Sequence, residues 1–339
     1  MRVNSGARLY FLPNCWALCV AILAQSDNLI LVDGRIKAFL TPRDLAEALG
    51  VSESSLKRWV DDGAIRVSRT TGGHRRIALA DAVRFARESG LQIEHPAALG
   101  LEDVLPVRGG RDSQATSAAE TLYAAFLRDD WRVARGLVVS AYVSGESVAT
   151  VCDGMVRDAL SRAGELWEHG SEGIVVEHRA VDTCLQALSF IRSLIPAAPA
   201  TAPVAVGAAF TTDPYWLPSL FAAVVLAEAG FRDVNLGPTM PTAALLSAVD
   251  RYAPALVWRT VSVATDAEAL RRDLLTLLER MPAHGSIVLG GRGVPQGILH
   301  LPDRVHHLGS MSELAGFARG VLAVRGVDAA PPAGDPVPS

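Results

Sequence analysis

Two sets of residues in this sequence have the types and spacing to do chemistry. Ser54, Ser55, Lys57 and Arg58 fall within five positions, and Arg66, Arg69, His74, Arg75 and Arg76 follow around Gly72-Gly73. Hydroxyls, lysine and arginine reach phosphate oxygens and base edges, so this set offers recognition of a nucleic-acid duplex. The second set is Trp167, nine residues, then Glu177-His178. It places an aromatic, a carboxylate and an imidazole around one turn between helices, the makings of a ligand pocket. Taken singly, each arginine reads as a solvated charge, Trp167 as a core aromatic and His178 as a satisfied interhelical histidine. Their grouping is what points to function.

The rest of the chemistry-bearing residues are scattered. His284, His300 and His306-His307 read as surface or strand-end residues, with no metal-ligand spacing among them. Cys15, Cys19, Cys152 and Cys184 form no C-x-x-C pair, which fits a reducing cytosol and argues against structural zinc. No G-x-S-x-G, H-E-x-x-H or phosphate-loop spacing is present, so the expectation is a protein that is not an enzyme.

The elements that must hold the basic set are short. Thr41-Pro42-x-Asp44 caps and opens a helix that Gly50 ends; Ser52 caps a second helix with Leu56, Trp59 and Val60 facing inward. Ile65-Arg66-Val67 and His74-Arg75-Arg76-Ile77 flank a Gly-Gly turn and predict a hairpin, and Ala80 to Glu88 predicts a third helix. Residues 39–90 therefore read as a winged helix-turn-helix. Between Thr41 and Gly90 nine Lys/Arg oppose seven acids, whereas the remainder has 23 against 29. A mildly basic module sits on an acidic body, which points to double-stranded DNA as a partner.

Residues 91–117 read as a linker, long enough to let the module swing. Residues 118–196 predict a four-helix bundle with stretches Ala118 to Leu127, Asp130 to Val143, Val148 to His169 and Gly173 to Ile195, joined by turns too short for anything but antiparallel neighbours. Residues 203–325 alternate strands and helices and predict a doubly wound parallel sheet, whose ligands bind past the carboxyl ends of the strands. Those ends are Thr211 to Pro218, Gly237 to Pro241, Thr260 to Ala264, Gly290 to Gly293 and Gly309-Ser310. The fold class is thus α+β and multidomain: winged helix-turn-helix, four-helix bundle, flavodoxin-like α/β domain. The 339 residues, half of them hydrophobic and one fifth charged with net charge −4, suit such a globular chain and exclude disorder throughout. Residues 1–38 carry a weak secretory pattern, too short to span a membrane, and are expected to be an extension outside the native protein; 326–339 are expected to be disordered.

TPRDLAEALGVSESSLKRWVDDGAI and TTGGHRRI resemble the DNA-binding domain of MerR-type regulators. W-x9-E-H followed by a flavodoxin-like domain resembles the cobalamin-binding half of light-sensing MerR-type repressors of carotenoid genes, and the same domain pair in cobalamin-dependent methionine synthase. The family pattern D-x-H-x-x-G, S-x-L, G-G is matched in spacing by Asp213-x-Tyr215-x-x-Pro218, Thr260-x-Ser262 and Gly290-Gly291. The resemblance implies adenosylcobalamin held between bundle and sheet, an oligomer that grips DNA, and light as the signal that breaks it up. It implies cofactor contacts from Trp167, Glu177, His178, Asp213, Tyr215, Thr260, Ser262, Gly290 and Gly291.

Tyr215 stands where the family has its cobalt-ligating histidine, and a phenol is a poor cobalt ligand. Several readings follow: cobalamin without a protein lower ligand, a haem with His178 or His169 on iron, a bilin, or no cofactor and a module used for protein interaction. The expectation is a cytoplasmic, homo-oligomeric DNA-binding regulator with no membrane partner. A methyl-transfer accessory protein is the competing class.

Overall fold

The protein is described by a computed structural model over residues 38–102, 104, 117–296, 298 and 301–324, without the side chains of 168 and 169. The expectations for residues 1–37, most of the linker, His300, the tail and the His169 side chain lie outside these residues.

The first module is β1 (Phe39–Leu40), α1 (Pro42–Ala48), α2 (Glu53–Asp61), β2 (Ser68–Arg69), β3 (Arg75–Ala78) and α3 (Leu79–Glu88). Its capping is as the sequence predicts. Thr41 Oγ1 accepts from the Asp44 amide at 3.2 Å while Asp44 Oδ2 accepts from the Thr41 amide at 2.8 Å, and Ser52 Oγ accepts from the Ser55 amide at 3.1 Å. Leu45, Leu49, Leu56, Val60 and Ile77 fill the core, and Trp59 packs on Phe85 at 5.3 Å between ring centres. The strands are antiparallel in the order β1-β3-β2.

Two local expectations shift. The hairpin ladder begins at Ser68 rather than Ile65, because Ile65 is buried and draws its segment into the core. The start of the presumed linker is ordered: a 3-10 turn at Pro96–Leu99 buries Leu99 and Leu101, and the His95 amide donates to Ala48 O at 3.1 Å.

The bundle comprises α4 (Ala118–Leu127), α5 (Trp131–Val143), α6 (Val148–Val151) continuing through a π-turn (Cys152–Val156) into α7 (Arg157–Glu165), a 3-10 turn (Leu166–His169) and α8 (Ser171–Leu194). Small residues share its core with larger ones: Ala134, Ala159, Ala163, Ala180 and Ala187 are buried, as are Val138, Leu188 and Ile191.

The α/β domain is β4 (Val204–Ala209), α9 (Leu217–Ala229), β5 (Arg232–Asn235), α10 (Thr242–Tyr252), β6 (Leu256–Thr260), α11 (Ala267–Arg280), β7 (Ser286–Gly290), β8 (Val305–His307) and α12 (Met311–Val324). All pairings are parallel, in the order β5-β4-β6-β7-β8, which is the doubly wound flavodoxin-like arrangement. The two-residue period of β6 sends Trp258 to one face, where its indole donates to Ser219 Oγ of α9 at 3.0 Å. Arg259 goes to the other face, where it grips Asp273 of α11 at 3.0 and 2.5 Å and donates to Ala209 O at 2.8 Å. Both members of that ion pair are buried and the guanidinium is well partnered; losing one side would cost about 3–5 kcal/mol. Gly207 faces Trp258 across the β4–β6 ladder, and a Cβ there would lie 2.1 Å from the indole.

The modules are tied together by side chains. Arg192 of α8 grips Asp233 of β5 at 3.1 and 2.5 Å. Arg87 of α3 reaches both the bundle and α9, so the DNA-type module is docked where the linker's length had suggested a swing. Among the described residues no helix is long and apolar enough to cross a membrane.

Candidate functional site

The basic set lies on α2 and around the β2–β3 hairpin of the first module. Ser54, Lys57 and Arg58 of α2 are exposed, with Ser55 half-buried; Arg66, Arg69, His74 and Arg76 are exposed around the hairpin. The turn is held by the Thr70 amide donating to His74 O at 2.9 Å and the His74 amide donating to Thr70 Oγ1 at 3.1 Å. Arg69 and Arg75 sit directly opposite in the ladder, and two like charges there repel. Asp61 at the end of α2 offsets this by pairing with Arg75 at 2.5 Å. Arg75 therefore braces the wing against the helix, and Arg69 and Arg76 are left freer to meet phosphate. Arg76 also covers Phe39, its guanidinium carbon 5.6 Å from the ring centre.

The second set splits into two groups. In the bundle, the 3-10 turn carries Trp167 back over the first turns of α8. Gly173 permits this, since a Cβ there would meet Leu166 O at 1.9 Å. Trp167 and His178 stack with centres 6.4 Å apart and planes 25° from parallel, and His178 Nε2 lies 3.7 Å from Glu177 Oε2. Trp167 is 51% exposed, so it is not the core aromatic a lone tryptophan would suggest.

At the carboxyl edge of the sheet, Asp213 is fully buried. Its Oδ1 accepts from the Tyr215 amide at 3.0 Å and its Oδ2 from the Ser262 amide at 2.6 Å. The aspartate thus knits two loops through backbone N–H groups, rather than orienting a side chain two positions on, as the resemblance implied. Tyr215 is 48% exposed. Thr260 and Gly290 pair across the β6–β7 ladder. The two glycines serve backbone packing: a Cβ at Gly291 would lie 2.2 Å from Val261 O, and one at Gly290 would lie 3.1 Å from Leu308 O. That close backbone packing is a physical reason for glycine at both positions.

Beside these residues opens a slot of about 410 Å³. Thr260, Gly290 and Gly291 line it from the sheet, with Trp258 as one wall and Pro218 and Phe221 of α9 as another. Cys152, Asp153 and Arg157 close it from the bundle, and Ser310 and Met311 from the start of α12. Trp167, Glu177 and His178 do not line it. Thr260 is 5% exposed, and among the described residues neither its hydroxyl nor that of Ser262 has a hydrogen-bond partner. Native proteins rarely leave such groups unpaired.

The sequence held no signal for the bundle's share of the wall. It comes from the π-turn, a feature frequent at functional sites. Asp153 in that turn accepts from the Met311 and Ser312 amides, both at 2.8 Å, and so caps α12. Burial pushes the Cys184 thiol up to about 12 and raises that of Cys152, so neither is a thiolate nucleophile. Burial lowers the pKa of His306, which packs on Phe317 at 4.5 Å as a strand-end residue. Among the described residues no cluster of three or more His, Cys, Asp or Glu could hold a metal ion.

The helix-turn-helix domain family matches residues 39–89, and the chain carries such a domain at its first module. No curated protein matches the chain. Among solved structures it is similar to the monomethylamine corrinoid protein of Methanosarcina barkeri, at 14% identity over 60% of this chain and 98% of that one, with a TM-score of 0.48. It is similar too to a chain of the methanol:cobalamin methyltransferase complex of the same organism, at 17% identity over 66% and 83% with a TM-score of 0.33. A cobalamin-binding protein of Desulfitobacterium hafniense gives 14% identity over 61% and 99%, with a TM-score of 0.33.

Proposed function

We propose that this chain is a transcription regulator. Residues 39–89 grip double-stranded DNA, and the bundle and sheet form a module that senses a ligand whose narrow end enters the slot. The observation that carries the sensing half is Thr260, which lines the slot and whose buried hydroxyl lacks a partner among the described residues. A ligand's polar tail would satisfy it, while Trp258 and Phe221 flank an apolar stretch of the same tail.

A corrinoid is the ligand assigned, on the spacing shared with the cobalamin-binding pattern and on the Trp167, Glu177, His178 group kept in the bundle. Thr260 would hold its tail. The axial position does not fit: Tyr215 offers a half-exposed phenol, a poor ligand for cobalt. The chain acts as a sensor with no catalytic role, working in the cytoplasm where its DNA is. Binding is the work of a homo-oligomer, because one small module makes few contacts and linked copies gain through effective concentration.

The test uses the purified full chain. Hydroxocobalamin, haemin and biliverdin are offered in turn and the absorption spectrum is read after gel filtration. A retained corrinoid band is expected; a haem or bilin band alone would change the ligand, and no band would remove the sensing half. Fluorescence anisotropy with a mixed-sequence duplex is expected to show tight binding in dilute salt. Arg75→Ala with Arg76→Ala should weaken it on every sequence and reduce the salt slope by about 1, the share of Arg76, since Arg75 is engaged by Asp61. No attraction to any duplex at low salt would sink the regulator itself.

A further inference from the structure

We infer that the Arg87–Glu228 pair couples the slot to the DNA-binding module, an inference that rests on the slot being the ligand site. Arg87 projects from α3, the last helix of the DNA-binding module. Its guanidinium donates to Tyr142 O, to Glu146 O at 2.8 Å and to Glu228 Oε1 at 3.0 Å, and lies 3.8 Å from the centre of the Tyr142 ring. Glu228 Oε2 in turn accepts from the Val148 amide at 2.8 Å. The cation thus caps the carboxyl end of α5 and the carboxylate caps the amino end of α6, each the sign its helix terminus favours, and the two are paired with each other. One contact joins all three modules, with both side chains largely out of water, at 16% and 23% exposure.

The helices that meet there are the ones that wall the slot. Phe221 lies on the slot and Glu228 sits two turns along α9 on the same face, about 10 Å away by helix rise. Val148 opens α6, and one turn further the chain reaches Cys152 and Asp153, again on the slot. Helices transmit a shift at one end to the other as nearly rigid rods. A ligand that spreads α9 from the π-turn therefore pulls Glu228 away from Val148, and Arg87 must choose between the two. A guanidinium held by two carbonyls and a carboxylate does not follow both, so α3 changes its seat. This is a bistable contact that both sites bias, the requirement for coupling between them.

The experiment uses the full chain, hydroxocobalamin as the probe, and Glu228→Gln, Arg87→Gln and Arg87→Lys. Corrinoid uptake is read by absorption, duplex affinity by anisotropy with and without probe, and hydrogen exchange at α3 and residues 142–148 by mass spectrometry. In the wild type, loading should change duplex affinity at least about fivefold. Glu228→Gln should load equally while that response collapses; Arg87→Lys, which keeps the charge but not the planar fork, should restore part of it relative to Arg87→Gln. A response in Glu228→Gln equal to the wild type's, or a loaded wild type whose affinity is unchanged, overturns the coupling. A wild type that takes up no corrinoid removes the slot reading instead. Exchange then judges the tie alone: faster exchange of α3 in Arg87→Gln upholds it, and unchanged exchange overturns it.

Discussion

Thr260 carries a hydroxyl that valine would replace with almost no change of shape. In most cores that swap is costly because the hydroxyl is paired; here it is not. Thr260→Val should therefore stabilise the ligand-free chain by about 1 kcal/mol, seen as a rise of about 2 °C in Tm. The same variant should retain less corrinoid after gel filtration, since the tail loses its partner. A fall in Tm would mean that the hydroxyl is already satisfied. At Tyr215, a histidine would restore an imidazole where the phenol stands half-exposed. Tyr215→His should shift the absorption bands of bound hydroxocobalamin towards a nitrogen-ligated form and slow its loss. Asp213 already accepts from two backbone amides, so only its remaining lone pairs could orient that ring, and the gain should be partial. An unaltered spectrum would place the corrin elsewhere.

Elements were legible where their signals are local. The Thr41–Asp44 box, the Ser52 cap and the Gly72-Gly73 turn each act within a few residues, and the helices Ala118–Leu127, Thr242–Tyr252 and Met311–Val324 end where periodicity and turn residues end them. What stayed hidden depends on distant partners. Nothing local marks Cys152–Val156 as a π-turn; it forms where Asp153 must reach the start of α12. Arg87 reads as a surface charge until the bundle is packed against it. The Trp167, Glu177, His178 spacing was visible, but the reason it works is Gly173, which lets the 3-10 turn fold onto α8. Gly173→Ala should push that turn away and cost about 1–3 kcal/mol. The Trp167 emission should then shift as its ring loses the contact with His178, read in a chain whose other tryptophans are replaced by phenylalanine. If stability and emission both hold, the turn is seated by something other than that close approach.

At the scale of the whole molecule, a module with two excess positive charges stands on a body with six excess negative ones, and the junction between them is partly buried. Its carboxylate, Glu228, has its pKa raised above the ordinary 4.5, chiefly by burial; the Val148 amide, Arg87 and Arg319 pull the other way without cancelling it. The folded chain therefore holds this proton more tightly than the unfolded chain does. Between the ordinary value and the raised one the folded state carries more protons, so stability falls as pH climbs through that window and is level above it. Glu228→Gln keeps the shape and removes the titration. Thermal unfolding of both chains from about pH 4 to about pH 7 should show the variant gaining on the wild type as pH rises, with common titrations cancelling in the difference. The opposite slope would mean that the ionised pair outweighs its own desolvation, and the junction would then be clamped most firmly at neutral pH. The sign of that slope decides whether the three modules are held together mainly by packing around Glu228 or by its charge, and so whether a ligand in the slot must work against a salt bridge to release α3.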